Sequence, residues 1–384
     1  MTAVDLHPPV SETAGNAASE RGVEQPSAAA SEVRSVSVVE SVPRTVRSFG
    51  TNDWLELGAS TVSAGAFVAV LYIVMDWSGW LGPTIWWLAG FLAVYRTVVG
   101  RSNGPVAATD RVMTVVIGVG AAISVAALAW VVLFVFGKGI GKLRLSFFRE
   151  DMASVGPLDA GGGAKHAMIG TLQQVGIATA LSVPAAILTA IYLHEIKGRM
   201  SPVIRFFVDA MSGLPSIVAG LLVYTVWILR FGMGYSGFAA SMALTILMLP
   251  TVTRTAEEIL RTVPETLREA ALALGAPQWR VVLRVVVPTA ASGLMTAAIL
   301  GVARAIGETA PVLLTAQYAA ATNTNVFKGK QATLPMFVYQ LIRQPNQTQI
   351  DRAWTGALTL LLMVLVLFVL ARYIGERGRR KRGA

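Results

Sequence analysis

The sequence predicts an all-α, polytopic membrane protein with about eight transmembrane helices, and three observations lead to that fold class. Hydrophobic residues make up 54% of the chain and charged residues only 14%, whereas soluble domains carry about 25% charged residues. Apolar runs close to the roughly 20 residues of a spanning helix recur along the chain. The connectors between these runs carry most of the Lys and Arg residues, so the net charge of +10 indicates membrane topology rather than nucleic-acid binding.

The first 108 residues divide into an arm and a hairpin. Residues 1–50 are rich in Ser, Ala, Val, Glu and Pro and show neither helical nor strand periodicity, which predicts a disordered cytoplasmic arm. Within residues 51–108, two apolar runs cover residues 57–75 and 81–95. They predict a transmembrane hairpin with both ends in the cytoplasm.

Six further apolar runs predict the other spans, inside a domain that covers residues 109–375. They lie at residues 112–137, 168–193, 206–229, 231–253, 285–316 and 354–371. Residues 376–384 form a basic tail. The distribution of Lys and Arg places this tail and the segment 257–288 in the cytoplasm, so we expect both termini there. The basic loop at residues 138–166 opposes this orientation, but the other segments outweigh it.

A charged stretch at residues 257–288 separates two apolar runs. Helix-forming residues lead into Gly275-Ala276-Pro277, a helix stop followed by a turn. A second helical run then enters Pro288 and the next apolar span. We predict a short amphipathic helix–turn–helix that lies flat on the membrane, because it is too charged to enter the bilayer.

The spacing inside this stretch resembles the EAA loop of ABC importer permeases. Glu269, Ala270 and Ala271 form the Glu-Ala-Ala triplet, Gly275 follows six positions after the Glu, and Pro288 follows nineteen positions after it. In that family the loop contains a coupling helix that docks in a groove of a separate ATPase. The resemblance therefore implies that these five residues couple the chain to an ATPase. The alternative is an ordinary interfacial loop between two spans.

Four more stretches resemble the phosphate-specific ABC permeases of the PstA type. They are Gly170-Thr-Leu172 with Ile191-Tyr-Leu-His-Glu195, Gly213-Leu-Pro-Ser-Ile-Val218, Leu249-Pro-Thr-Val-Thr-Arg254-Thr-Ala-Glu257-Glu258, and Ala303-Arg304-Ala-Ile-Gly307-Glu308-Thr-Ala-Pro311. The resemblance covers about residues 110–375 and implies a six-helix permease core, with the N-terminal hairpin as an extension outside the family pattern.

The resemblance also implies a function and a set of partners. The chain would translocate inorganic phosphate across the cytoplasmic membrane, where membrane lipid surrounds it. It would pair with a homologous second permease (PstC type), two ATPase subunits (PstB type) and an extracytoplasmic phosphate-binding protein (PstS type). The external loops at residues 138–166 and 317–353 are the docking candidates for the binding protein.

Two charges inside one apolar run are candidates for the substrate pathway. Arg304 lies sixteen residues after Pro288, about 24 Å along a helix that rises 1.5 Å per residue. A charge at that depth costs at least roughly 2.5–3.5 kcal/mol. Glu308 is four residues later and can pair with it on the same helix face. Because a guanidinium matches phosphate oxygens two at a time, we predict that Arg304 binds the oxyanion and that Glu308 holds Arg304 when phosphate is absent. A purely structural pair is the alternative.

Arg254 follows Pro250 near the cytoplasmic end of its span. Its side chain either extends to the interface or, as the resemblance implies, makes a second anion contact. The sequence has neither a P-loop nor a nucleophile elbow, and it has no Cys. His166 and His194 lack partners at metal-ligand spacing. We therefore expect no catalytic residues, no metal, no cofactor and no nucleic-acid partner.

Three other functions remain open from the sequence. The first is an ABC importer permease for another oxyanion or a small solute; Arg304 and Glu308 argue against an organic solute. The second is an ion-coupled secondary transporter or channel, which has no use for an EAA loop. The third is a regulatory membrane scaffold, in which transport would not depend on Arg304.

Overall fold

The computed structural model describes residues 51–75, 79–159 and 161–380, and the regular structure in these ranges is entirely helical. The arm at residues 1–50 and the last four residues of the predicted tail lie outside these ranges. The helices are α1 Thr51–Met75, α2 Leu81–Asn103, α3 Pro105–Gly139, α4 Lys165–Ile191, α5 Ser201–Ser212, α6 Ser216–Val223, α7 Gly237–Arg261, α8 Glu265–Ala273, α9 Gln278–Val281, α10 Val287–Ile306, α11 Ala310–Thr315, α12 Leu334–Ile342 and α13 Gln347–Arg380.

Six helical segments in the described ranges are long and apolar enough to cross a membrane. They are Asp53–Met75, Pro105–Lys142, Lys165–Ile196, Gly237–Arg261, Gln278–Gly307 and Gln347–Tyr373. A bent pair made of α5 and the segment Ser216–Arg230 brings the number to seven if it counts as one span. Helix α2 forms as predicted but is not among these segments, since Gly82, Pro83 and Arg96 interrupt its apolar sequence. The prediction of about eight spans therefore stays a prediction.

Two predicted spans are broken in the structure. The run at residues 206–229 is divided between α5 and the segment Ser216–Arg230, whose axes differ by 106°. Pro215 stands at the break, where it lacks an N–H and disfavours a helical conformation in the preceding residue. The run at residues 285–316 likewise ends as a helix at Ile306, and α11 begins after a short turn. The second run still contains most of the spanning segment Gln278–Gly307, and the first is a single span if its bent pair is counted as one.

The described residues up to Val116 form one of two compact units. Helices α1 and α2 pack against each other in this unit. Near the start of α3, Arg111 pairs with Asp53 at 2.7 Å and with Glu56 at 3.1 Å, both on the first turns of α1. The start of α3 therefore lies beside the start of α1, as expected if α1 and α2 form a helical hairpin.

The described residues from Ile117 onward form the second unit, and α7 lies at its centre. This helix packs against α4, α5, α6, α10 and α11, and 61% of its spanning window is buried, the largest share among the six segments. It continues through Arg261, so the predicted coupling loop at residues 257–288 begins inside its last turns. Charged residues on α7 are therefore held by a rigid central helix.

Candidate functional site

Helices α7 and α10 approach each other closely because glycine residues of α10 face α7. A Cβ atom added at Gly301 would lie 2.4 Å from Cγ2 of Val252, and one added at Gly293 would lie 2.4 Å from Cγ2 of Ile259. Both distances are far shorter than a van der Waals contact. Small residues at such contacts let helix backbones pack tightly. This packing fixes the position of Arg304 relative to α7.

Arg304 occupies the last turn of α10, with Glu308 just beyond the helix end. Its Nε lies 3.6 Å from Oε1 of Glu308, and its Nη1 donates to Oγ1 of Thr251 on α7 at 3.2 Å. The Arg304 side chain is 50% exposed in this chain and Glu308 is 18% exposed. A helix C-terminus favours a nearby cation, so the end of α10 offsets part of the cost of this charge.

Arg254 lies on the same face of α7 as Thr251, the residue that contacts Arg304. Thr251 and Arg254 are three residues apart on one helix, a spacing that places side chains on one face about 5–6 Å apart. Arg254 pairs with Asp209 of α5 and, at 3.1 Å, with Glu257. Arg254 therefore lies about one turn of α7 from Thr251, the residue to which Arg304 of α10 donates.

Glu257 is the centre of a charge network near the C-terminal end of α7. Its side chain is 1% exposed, and its carboxylate contacts Arg205 at 2.6 Å, Arg254 at 3.1 Å and Arg261 at 3.4 Å. Arg261 also pairs with Glu258 at 3.2 Å. A carboxylate buried this deeply is tolerated because several cations surround it. The network ties α5 to α7.

Sequence reasoning missed two members of this network. The sequence did not indicate that Asp209 pairs with Arg254 or that Arg205 pairs with Glu257. One signal was present: Arg205 and Asp209 are four residues apart on a helix, so they share a face. The sequence could place both residues on one face of α5 but could not show that this face meets α7.

The predicted coupling helix exists as α8, and its end has a defined backbone motif. The N–H of Ala276 donates to the carbonyl of Ala271 at 3.2 Å, and the N–H of Gly275 donates to that of Leu272 at 2.9 Å. Gly275 has φ of +78°. This hydrogen-bond pair with a left-handed residue is the Schellman motif, for which glycine is strongly preferred. Gly275 therefore sets the sharp turn after α8.

Arg268 anchors α8 to the helices beneath it. Its guanidinium donates to Oε1 of Glu195 at 2.8 Å and to the carbonyls of Leu260 and Val263, both at 2.9 Å. The side chain of Gln278 donates to the carbonyl of Glu195 at 2.8 Å. These contacts link the segment around α8 and α9 to the ends of α4 and α7.

The outer side of α8 and α9 exposes apolar side chains, and we call it the coupling surface. Its large apolar members are Leu267, Leu272, Leu274, Trp279 and Leu283, with Leu274 89% exposed. The predicted coupling residues Glu269, Ala270, Gly275 and Pro288 are exposed, and Ala271 is half-buried. Clustered exposed apolar residues are typical of protein interaction sites. The coupling surface thus has the character of a docking site.

On the opposite side of the second unit, the two predicted external loops are joined. The Oδ2 atom of Asp151 accepts hydrogen bonds from the N–H of Thr322 at 3.0 Å and from its hydroxyl at 2.8 Å. The backbone N–H of Met152 donates to the carbonyl of Ala320 at 3.0 Å. Hydrogen bonding from Thr322, with a further bond from the N–H of Ala153, lowers the pKa of Asp151. The loops therefore form one connected surface.

Comparison with known proteins identifies the family. The family model described as binding-protein-dependent transport system inner membrane component matches residues 182–380, a range that contains Arg254, Arg304 and the whole coupling surface. The phosphate transport system permease protein PstA 1 of Mycobacterium tuberculosis (strain ATCC 25618 / H37Rv) is 42% identical over 258 residues, which cover 66% of this chain and 84% of that protein.

Two further relatives carry similar names. The phosphate transport system permease protein PstA of Mycobacterium leprae (strain TN) is 40% identical over 63% of this chain and 80% of its own length. That of Pasteurella multocida (strain Pm70) is 37% identical over 64% of this chain and 86% of its own length. The resemblance seen in the sequence is thereby confirmed. The chain belongs to the family of binding-protein-dependent transport system inner membrane components and, within it, to the permeases of the PstA type.

Proposed function

We propose that this chain is the permease subunit through which inorganic phosphate crosses the cytoplasmic membrane in an ATP-driven importer. The observation that carries the proposal is Arg304, a guanidinium held at the end of α10 beside the central helix α7, in a chain whose relatives are named phosphate permeases. A charge within a spanning segment marks a substrate pathway by default. The planar donors of arginine suit a phosphate ion.

Phosphate meets the arginines of α7 and α10 in sequence along this pathway. A guanidinium has five N–H donors, and the contacts of Arg304 with Glu308 and Thr251 engage its Nε and Nη1. Phosphate displaces the Glu308 carboxylate from Arg304, and the ion pair between Arg304 and Glu308 forms again when the phosphate leaves. Arg254 lies one turn along α7 and offers the next cation toward the cytoplasm. Asp209 and Glu257 neutralise Arg254 between transport events.

The partners follow from the coupling surface and the external loops. Two ATPase subunits (PstB type) would contact this chain and a homologous second permease (PstC type), one ATPase at each coupling surface. The ATPases drive alternating access, because Arg268 and Gln278 connect the coupling surface to the ends of α4 and α7. An extracytoplasmic phosphate-binding protein (PstS type) docks on the joined external loops. Both termini and the basic tail lie in the cytoplasm in this arrangement.

The proposed assembly is tested by purifying the tagged chain from membranes of the cells that produce it. We expect a P-loop ATPase and a second permease to purify with it, in a complex that hydrolyses ATP faster when the binding protein and phosphate are added. A chain that purifies alone from mild detergent and supports phosphate-dependent growth would contradict the importer assignment.

Gly275→Trp tests the coupling surface. A tryptophan at φ of +78° strains the backbone, although the space around the Cβ position is open. We expect normal membrane insertion, weaker ATPase association and at least about a tenfold loss of uptake, which corresponds to roughly 1.4 kcal/mol of binding energy. Gly275→Asn is the matched control, because asparagine tolerates the left-handed conformation. Unchanged uptake in both variants would remove Gly275 from the coupling role.

The N-terminal extension is proposed to be dispensable for transport. Residues 51–108 lie outside the range matched by the family model, and the described residues up to Val116 form a compact unit of their own. A chain that begins near residue 108 should insert and support uptake at a rate close to that of the full chain at matched expression. Arg111 then loses Asp53 and Glu56, so Arg111→Gln in the full chain controls for that charge. Normal assembly without uptake would place the extension inside the mechanism.

A further inference from the structure

A groove runs along one side of α10 and α13, with α4 forming part of its wall. Three cavities of about 330, 200 and 230 Å³ follow one another along it. Met295, Ile299 and Phe368 line both the first and the second cavity. Val302 and Ile306 line both the second and the third. The shared walls make the three cavities one continuous groove.

The groove has a polar end and an apolar end. Arg372 lines the first cavity together with the hydroxyl-bearing residues Ser292 and Thr296. The second and third cavities are lined mainly by apolar side chains, with Thr171 and Thr179 as the polar members. The polar end lies where α10 begins after the coupling surface and where α13 approaches its basic C-terminal end. It therefore lies at the membrane surface that carries the coupling surface.

The groove is somewhat longer than the hydrocarbon thickness of one membrane leaflet. Ser292 and Ile306 are fourteen residues apart on α10, which is about 21 Å at a rise of 1.5 Å per residue. The hydrocarbon core of a bilayer is about 30 Å thick. The sequence after Arg372 adds Arg377, Arg379, Arg380, Lys381 and Arg382. Basic clusters directly cytoplasmic of a transmembrane helix attract anionic lipids.

We propose that this groove is a binding site for one anionic glycerophospholipid of the cytoplasmic leaflet. Its phosphate headgroup lies against Arg372 and the hydroxyls of Ser292 and Thr296, and one acyl chain lies along Met295, Ile299 and Phe368. A free phosphate ion would leave the long apolar part of the groove empty. A transmembrane helix of a partner would cover the apolar part but would not match the charged end. A phospholipid matches both ends, and its binding is separate from the transport of phosphate.

Headgroup selectivity tests the site. The purified transporter complex is incorporated into bilayer discs of equal parts phosphatidylglycerol and phosphatidylcholine, and the lipids that it retains after detergent extraction are counted by native mass spectrometry. We expect the wild-type complex to retain phosphatidylglycerol in preference to phosphatidylcholine. Arg372→Gln should lower that retention about fivefold, the factor that corresponds to one basic contact at a membrane surface. An excess of inorganic phosphate should not displace the lipid.

Arg101→Gln is the matched control, because Arg101 is an exposed basic residue on α2 that does not line the groove. It should retain phosphatidylglycerol as the wild type does. Equal retention in the Arg372 and Arg101 variants, or no preference between the two lipids in the wild type, would overturn the proposal.

A second measurement does not depend on the folding of the arginine variant. A photo-crosslinking amino acid placed at Ile299, in the middle of the groove, should form an adduct with the mass of a phospholipid when the complex is irradiated in these discs. An adduct with a second protein chain would show that a partner helix fills the groove, and this would overturn the lipid assignment. The absence of a lipid adduct from a complex that incorporates the amino acid fully would overturn it as well.

Discussion

Arg304→Ala is expected to lower phosphate uptake by about two to four orders of magnitude, because a hydrogen bond to a charged group is worth roughly 1.5–3 kcal/mol and a bidentate ligand makes two. Arg304→Lys keeps the charge but loses the planar fork. It should therefore show an intermediate loss of about tenfold, equivalent to roughly 1.4 kcal/mol. The measurement is uptake of radiolabelled phosphate, normalised to the amount of assembled complex in the membrane.

The double variant Arg304→Ala with Glu308→Gln separates the two roles of the pair. The single variant leaves the Glu308 carboxylate, which is 18% exposed, without its cation, and an unpaired charge of this kind also destabilises the protein. Neutralising Glu308 should restore the yield of the complex but not phosphate uptake. Normal uptake by the double variant would show that Arg304 and Glu308 are only a structural pair.

Glu257→Gln is expected to destabilise the assembled permease strongly, although the glutamine side chain has nearly the same shape as the glutamate that it replaces. The carboxylate is 1% exposed and contacts three arginines. Its neutralisation leaves Arg205, Arg254 and Arg261 close together with less compensating charge. Breaking a buried ion pair by removing one partner costs about 3–5 kcal/mol. The expected result is a low yield of complex and a lowered thermal unfolding midpoint in detergent.

Glu258→Gln provides a neighbouring control for this prediction. Glu258 is the next residue, but its side chain is 69% exposed and it pairs with Arg261 at the surface. Exposed ion pairs contribute about 0–1 kcal/mol, so this variant should assemble and transport normally. Equal stability of the two variants would mean that the network around Glu257 does not hold α5 against α7.

Local signals predicted the features that depend on a few consecutive residues. The stop at Gly275 follows from the need for a left-handed residue after α8, and the structure has it there. The all-α class and the family resemblance likewise came from apolar runs and motif spacing. The break before α6 was also encoded, by Pro215, but the long apolar run at residues 206–229 outweighed that signal in the prediction of spans.

Contacts between distant helices could not be predicted from the same patterns. The number of residues after Pro288 gave the position of Arg304 along its helix. It did not show that the helix ends two residues later, or that Thr251 faces the guanidinium. The pairing of Asp209 with Arg254 depends on how α5 packs on α7. Helix packing of this kind is set by the shapes of two surfaces, and a single sequence does not state which surfaces meet.

Phosphate accumulation in proteoliposomes that contain this chain with its second permease and ATPase subunits is the decisive test of the proposed transport function. ATP is enclosed on the side of the coupling surface, and the binding protein and radiolabelled phosphate are added on the other side. We expect accumulation of phosphate against its gradient that requires ATP and is lost in Arg304→Ala. Accumulation without ATP, or none by a wild-type complex that hydrolyses ATP, would contradict the proposed transport function.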